Sequence, residues 1–217
     1  MKLEVMRLSF ENVEIAKRDI PKVRGFIASN YPEYDELHNH KGNKTIYRYP
    51  VIQYKSIEGI PCIVALNEGV NVLKKIENEV DNINIENKII DIFEKRIKYE
   101  KAEYGISNTL LKYEFDSPWM CLNDKNFKIY IKSNDEEKKE LLKRILIGNI
   151  LSMSKSMGYT VEEKINVYLE LRSCNVKFKN KDMLGFKGYF IINFKIPNYL
   201  GLGKSVSRGF GAVKNLG

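Results

Sequence analysis

Between residues 165 and 172 the chain alternates without a break: Ile165, Val167, Leu169 and Leu171 are apolar, and Asn166, Tyr168, Glu170 and Arg172 between them are more polar. Successive side chains of a strand point to opposite faces, so the pattern demands a half-buried antiparallel strand with one face on a core. Gly188, Phe190, Ile192, Phe194 and Ile196 repeat it in a longer strand that stops at Pro197. Upstream, Leu142, Ile145, Leu146, Asn149, Ile150, Met153 and Met157 recur at helical spacing. Ser133 with Glu136 reads as the capping box of that helix and Gly158 as its end, and its methionines as core filler. Residues 127–131 add an expected strand. The second half is therefore a sheet backed by one dominant helix.

The first half supplies a fuller order. Residues 2–12 read as a strand; Asp19 then caps a helix with Pro21 in its first turn and Val23, Phe26 and Ile27 on one face. A polar loop runs to about residue 42. Residues 47–53 and 61–66 are two strands around the Glu58-Gly59 turn, and Asn67 caps a helix bearing Val70, Leu73, Ile76 and Val80. The Ile-rich residues 88–97 close the series as one strand. Strand, helix, strand, strand, helix, strand is the ferredoxin-like split unit. The expected fold class is thus α+β, with two ferredoxin-like, RNA-recognition-motif-like modules in tandem, each with an antiparallel sheet. The expected boundaries are 1–112 and 113–217, the second module carrying a glycine-rich loop.

Charge narrows the partner. Lys and Arg number 36 against 28 Asp and Glu, a formal net charge of +8. A basic surface gains affinity for nucleic acid because each neutralised phosphate releases condensed counterions, although a soluble basic surface is the plain alternative. Cys62, Cys121 and Cys174 are odd in number and far apart. They offer neither a disulfide framework nor zinc-ligand spacing, so a reduced, cytoplasmic chain is expected, with no metal and no cofactor. Lys2, Glu4 and Arg7 have no long apolar run behind them, and no stretch approaches bilayer length, so no membrane partner is expected.

Beyond Asp182 the chain holds no acidic residue, yet it carries Lys187, Lys195, Lys204, Arg208 and Lys214. In the same stretch stands Gly201-Leu202-Gly203-Lys204-Ser205-Val206-Ser207-Arg208-Gly209-Phe210-Gly211. Glycines allow close main-chain approach and positive φ, so that amides can converge on an anion, while Ser205 and Ser207 add hydroxyls and Lys204 and Arg208 add charge. The expected RNA-binding set is therefore Gly201, Gly203, Lys204, Ser205, Ser207, Arg208, Gly209, Gly211 and Lys214. A tight turn between two strands is the structural alternative. The run is neither a nucleotide P-loop, since no Lys-Ser or Lys-Thr follows its second Gly-x-Gly, nor a dinucleotide fingerprint, which would have to open a helix.

This run, near the end of a chain of this size, resembles the glycine-rich signature of the CRISPR-associated RAMP superfamily, and within it the endoribonucleases that process CRISPR repeat RNA (the Cas-six family). The resemblance implies paired RNA-recognition-like modules, a glycine loop near the bound repeat, and metal-independent cleavage of precursor crRNA. Attack by the 2′-hydroxyl would leave 2′,3′-cyclic phosphate and 5′-hydroxyl ends. The implied partner is CRISPR repeat RNA, with effector-complex subunits and a homodimer left open. Relatives that hold guide RNA without cutting it carry the same loop, so a non-catalytic RAMP subunit is the alternative, and a general basic nucleic-acid binder is a weaker third.

His38 and His40, the chain's two histidines, fall in the polar loop beside Lys41, Lys44, Tyr47 and Arg48. Imidazole is the side chain best suited to move protons near neutral pH, and RNA cleavage needs a proton removed from the 2′-hydroxyl, one given to the 5′-oxygen and a cation at the phosphorane. Ordinary exposed loop histidines are the bland alternative. The resemblance points to His40 first and His38 as its partner, with Tyr47 orienting the 2′-hydroxyl and Lys44 or Lys41 stabilising charge. The letters His-Asn-His do not make a metal-dependent HNH nuclease, because no further histidine exists to complete that motif. Trp119 and the tyrosines could stack on bases, but packing is the commoner fate.

Overall fold

A computed structural model describes the chain apart from residues 39, 42, 43, 46, 47 and 180; of residues 40, 41, 44 and 45 it describes the main chain alone. Two compact units emerge: residues 2–103 with 206–209, and residues 104–205 with 210–217 and Met1.

In the N-terminal unit the central strand is β1 (Lys2–Phe10), in which Leu3, Val5, Met6, Leu8 and Phe10 are all buried. Then come a 3-10 turn (Lys17–Asp19), α1 (Ile20–Asn30), α2 (Asp35–His38), and the two-residue strands β2 (His40–Lys41) and β3 (Lys44–Thr45), paired to each other. β4 (Ile52–Ile57), β5 (Ile60–Leu66), α3 (Glu68–Ile76), the hairpin of β6 (Asn82–Ile85) and β7 (Lys88–Asp91), and β8 (Lys95–Glu103) complete the unit. The antiparallel sheet runs β4-β5-β1-β8, with Val5 opposite Leu66 on one side and Glu100 on the other. That order places the first and third strands of a split βαβ unit at the centre, as a ferredoxin-like fold requires.

The C-terminal unit repeats it. β9 (Gly105–Phe115), α4 (Asp124–Tyr130), α5 (Asp135–Ser156), β10 (Val167–Phe178), β11 (Lys181–Lys195) and β12 (Val213–Asn215) give a sheet ordered β10-β11-β9-β12. Residue 112, where the sequence reading ended its first module, lies inside β9. The alternation read in the sequence is explained by the register: Val167 faces Ile192 and Leu169 faces Phe190 on the buried side. Trp119 is fully buried, stacked on Phe115 at 5.2 Å, with Nε1 donating to Asn149 Oδ1 at 3.0 Å. Met153 is buried in the same core. No helix follows β11; the glycine-rich run takes the place of the second helix of the split unit.

Several local expectations are corrected. Residues 127–131 are not a strand: the Asn123 side chain accepts from Asn126 N at 2.7 Å and starts α4, and the alternating Phe127, Ile129 and Ile131 are all exposed. The capping box of α5 sits one residue later than Ser133 and Glu136. Asn134 Oδ1 accepts from Glu137 N at 3.0 Å and Glu137 Oε2 from Asn134 N at 2.9 Å, while Ser133 Oγ donates to Ile129 O at 3.0 Å. Asn67 precedes α3 without a side-chain capping bond; its Oδ1 accepts from Glu4 N at 3.1 Å, tying the helix start to β1. Residues 88–97 are not one strand. Asn12 Oδ1 accepts from both Phe93 N and Glu94 N at 3.2 Å, which holds the chain out of the sheet between β7 and β8. No helix among the described residues is long and apolar enough to cross a membrane.

Candidate nucleic-acid interface

The glycine-rich run divides into three parts. At its start, Leu202 N donates to Gly211 O at 2.9 Å, Lys204 N to Met120 O at 2.8 Å and Lys204 Nζ to Leu122 O at 2.9 Å. At its end, Gly211 N donates to Pro118 O, Ala212 N to Ser117 Oγ, both at 2.9 Å, and Val213 N to Leu200 O at 3.0 Å. Both parts fold against residues 117–122 within the C-terminal unit. Glycine is required there for space as well as φ: a Cβ at Gly203 (φ +87°) would stand 2.6 Å from Met120 O, and one at Gly211 (φ +63°) 2.0 Å from Leu202 O. Several amides read from the sequence as anion donors are thus engaged by the fold itself, and Lys204 has one donor committed. Gly201 forms an antiparallel bridge with Ala212. Lys214 lies on β12, opposite Glu114 of β9.

The middle part, residues 206–209, belongs to the N-terminal unit. Tyr54 of β4 forms a parallel bridge with Arg208, its N donating to Ser207 O at 3.4 Å. Lys55, 1 % exposed, donates from Nζ to Val206 O at 2.8 Å. Gly209 packs so closely on Ile20 that a Cβ there would stand 3.1 Å from its Cγ2. Ser207 and Arg208 are consequently held beside β4 and the start of α1.

Arg24 connects this segment to the histidines. It lies on the buried side of α1 with Ile20, Val23 and Ile27, and its Nη2 donates to the carbonyl of His38 at the end of α2. Burial lowers its affinity for a proton, and the neighbouring Arg208 lowers it further. Burial likewise pushes the Tyr54 phenol up, with Arg24 opposing. Of the proposed catalytic group, His38 is half-buried. Tyr47, and the side chains of His40, Lys41 and Lys44, lie outside the described residues. Among the described residues, no three of His, Cys, Asp or Glu converge as a metal site would require.

Sequence reasoning passed over Arg24, Tyr54 and Lys55. The signal was present: Arg24 follows Ile20 by four residues and precedes Ile27 by three, which puts a cation on the core-facing stripe of a helix.

Two family models match the chain end to end: the Cas6b N-terminal domain over residues 1–103 and the Cas6b C-terminal domain over residues 105–216. The chain belongs to the Cas6b family. A crystal structure of Cas6b is 44 % identical, covers all of both chains and superposes with a TM-score of 0.96. A second, of the CRISPR RNA processing endoribonuclease Cas6b, is 42 % identical over all of both chains with a TM-score of 0.82. An uncharacterized protein of Methanocaldococcus jannaschii is 44 % identical over 62 % of this chain and 92 % of its own length. The Cas6b domain models meet at residue 104, where β8 gives way to β9.

Proposed function

We propose that this chain is an endoribonuclease that binds CRISPR repeat RNA and cuts precursor crRNA. The observation that carries the reading is its 42 % identity, over the whole of both chains, to a Cas6b named as a CRISPR RNA processing endoribonuclease. The paired ferredoxin-like units and the net charge of +8 suit a polyanionic substrate.

The chemistry we assign is transesterification without metal. The 2′-oxygen attacks the adjacent phosphorus in line, the bond from phosphorus to the 5′-oxygen breaks, and the products are a 2′,3′-cyclic phosphate and a 5′-hydroxyl. One proton leaves the 2′-hydroxyl and one reaches the departing 5′-oxygen. His40 and His38 are assigned these transfers, Tyr47 the orientation of the 2′-hydroxyl, and Lys44 the charge on the phosphorane. Ser205, Ser207, Arg208 and Lys214 are assigned to the sugar–phosphate backbone, with Lys204 offering its remaining donors. Gly201, Gly203, Gly209 and Gly211 hold the main-chain course that presents them.

Incubating the protein with repeat RNA in EDTA, beside the same RNA carrying 2′-deoxyribose at the scissile nucleotide, tests the reading. Cleavage of the first and not the second is expected. Equal cutting of both, or loss of cutting in EDTA, removes the mechanism; tight binding without any cutting moves the chain to the non-catalytic RNA-holding class.

A further inference from the structure

Arg24 and Tyr54 carry polar atoms that no described residue satisfies. Arg24 is 9 % exposed; one of its donors goes to the His38 carbonyl, but Nε is buried with no hydrogen-bond partner among the described residues. The Tyr54 hydroxyl, on a side chain 1 % exposed, is buried in the same condition. Arg208 is bridged to Tyr54 through the main chain, and its charge disfavours the charge on Arg24. Among the described residues, no carboxylate is one of the groups that perturb Arg24 or Tyr54. A buried guanidinium within electrostatic reach of a second cation and of a buried phenol, with Nε and the hydroxyl both lacking a partner among the described residues, is an arrangement that an entering anion would relieve.

We propose that Arg24, Arg208 and the Tyr54 hydroxyl together bind one phosphate of the RNA backbone, adjacent to His38. The proposal rests on the reading of this chain as an RNA-binding protein. A phosphodiester supplies two oxygens, and a guanidinium presents donors in a planar fork that matches them, which an ammonium does not. The neutral phenol adds a third donor without adding charge. Because Arg24 also grips the His38 carbonyl, the phosphate and the histidine-bearing turn share one anchor. The contact carries no sequence information; it fixes the register of the strand relative to His38.

The test uses the full chain and a non-cleavable repeat RNA, 2′-deoxy at the scissile nucleotide, with methylphosphonate replacing one linkage at a time. Wild-type protein is expected to lose about tenfold in affinity when one linkage is neutralised, and the slope of log K against log salt is expected to fall by about 1 in Arg208→Gln and Arg24→Gln. Those variants, and partly Arg24→Lys, should no longer sense the neutral linkage. Tyr54→Phe deletes only an oxygen that lacks a partner among the described residues, so it keeps the fold while losing affinity several-fold at that linkage alone. A purely structural role would lower thermal stability without changing the salt slope or the linkage footprint. Unchanged slope and footprint in Arg208→Gln and Tyr54→Phe overturn the site while leaving the nuclease reading intact. Failure of the wild type to bind repeat RNA at all is a separate result that ends both.

Discussion

The ammonium of Lys55 donates to the carbonyl of Val206 at 2.8 Å, joining residues 151 positions apart inside the N-terminal unit. Lys55 is almost wholly buried, so the bond is shielded from water and the carbonyl has little access to a replacement donor. Lys55→Met keeps the length of the side chain and removes the donor. It is expected to lower unfolding free energy by about 1–3 kcal/mol, read from the urea midpoint, and to weaken RNA binding by releasing residues 206–209. An unchanged midpoint would mean that the bond contributes nothing net.

Two glycines should respond oppositely to alanine. Gly211→Ala forces a Cβ onto Leu202 O at positive φ and is expected to cost on the order of 3 kcal/mol or more. Gly148, inside α5 with nothing within 4 Å of the place an added methyl would take, should gain about 0.5–1 kcal/mol as alanine. Thermal melts of the two variants decide it; equal shifts would contradict the packing described for the run.

Alkali should unfold the protein early. Burial is the first cause raising Tyr54, Tyr104 and Tyr113 above 10.0 and the Cys121 thiol above 9.0. The folded state therefore keeps protons that the unfolded chain releases, so this stability is complete below the unfolded-state values and is lost progressively as pH rises past them toward the raised folded-state ones. The urea midpoint is expected to fall from about pH 9 upward and steeply above about pH 10. The last of the phenolate absorbance should appear only together with unfolding, and ionisation of all 13 tyrosines in a still-folded protein would refute the argument.

His40→Ala is expected to slow single-turnover cleavage by about 10²–10⁴-fold, and His38→Ala by a smaller factor, with repeat-RNA affinity kept within a few-fold. Parallel losses in affinity and rate would assign the histidines to binding instead of proton transfer.

Much of this molecule is written in short-range pattern. Alternation at residues 165–171 and 188–196, and helical spacing over residues 142–157, depend only on which side of an element meets a core; β10 from Val167, β11 and α5 realise them. The ferredoxin-like plan of the first unit follows from element order, because few topologies satisfy it, whereas the second half reads only as a sheet backed by one dominant helix. The errors fall where a local signal had rivals: Asn134 displaced Ser133 as cap, and Asn67 bonded to Glu4 across 63 positions.

The amino-acid order alone thus determined the elements, the basic glycine-rich end and the family resemblance, since each rests on neighbours within a few turns or residues. Only the tertiary structure decided that residues 206–209 lie in the N-terminal unit, that Gly203 and Gly211 serve packing, and that Arg24 holds the His38 carbonyl within electrostatic reach of Arg208. Most of those relationships join residues far apart in the chain, and which groups meet is set by burial and hydrogen bonding of the whole fold, not by any local periodicity.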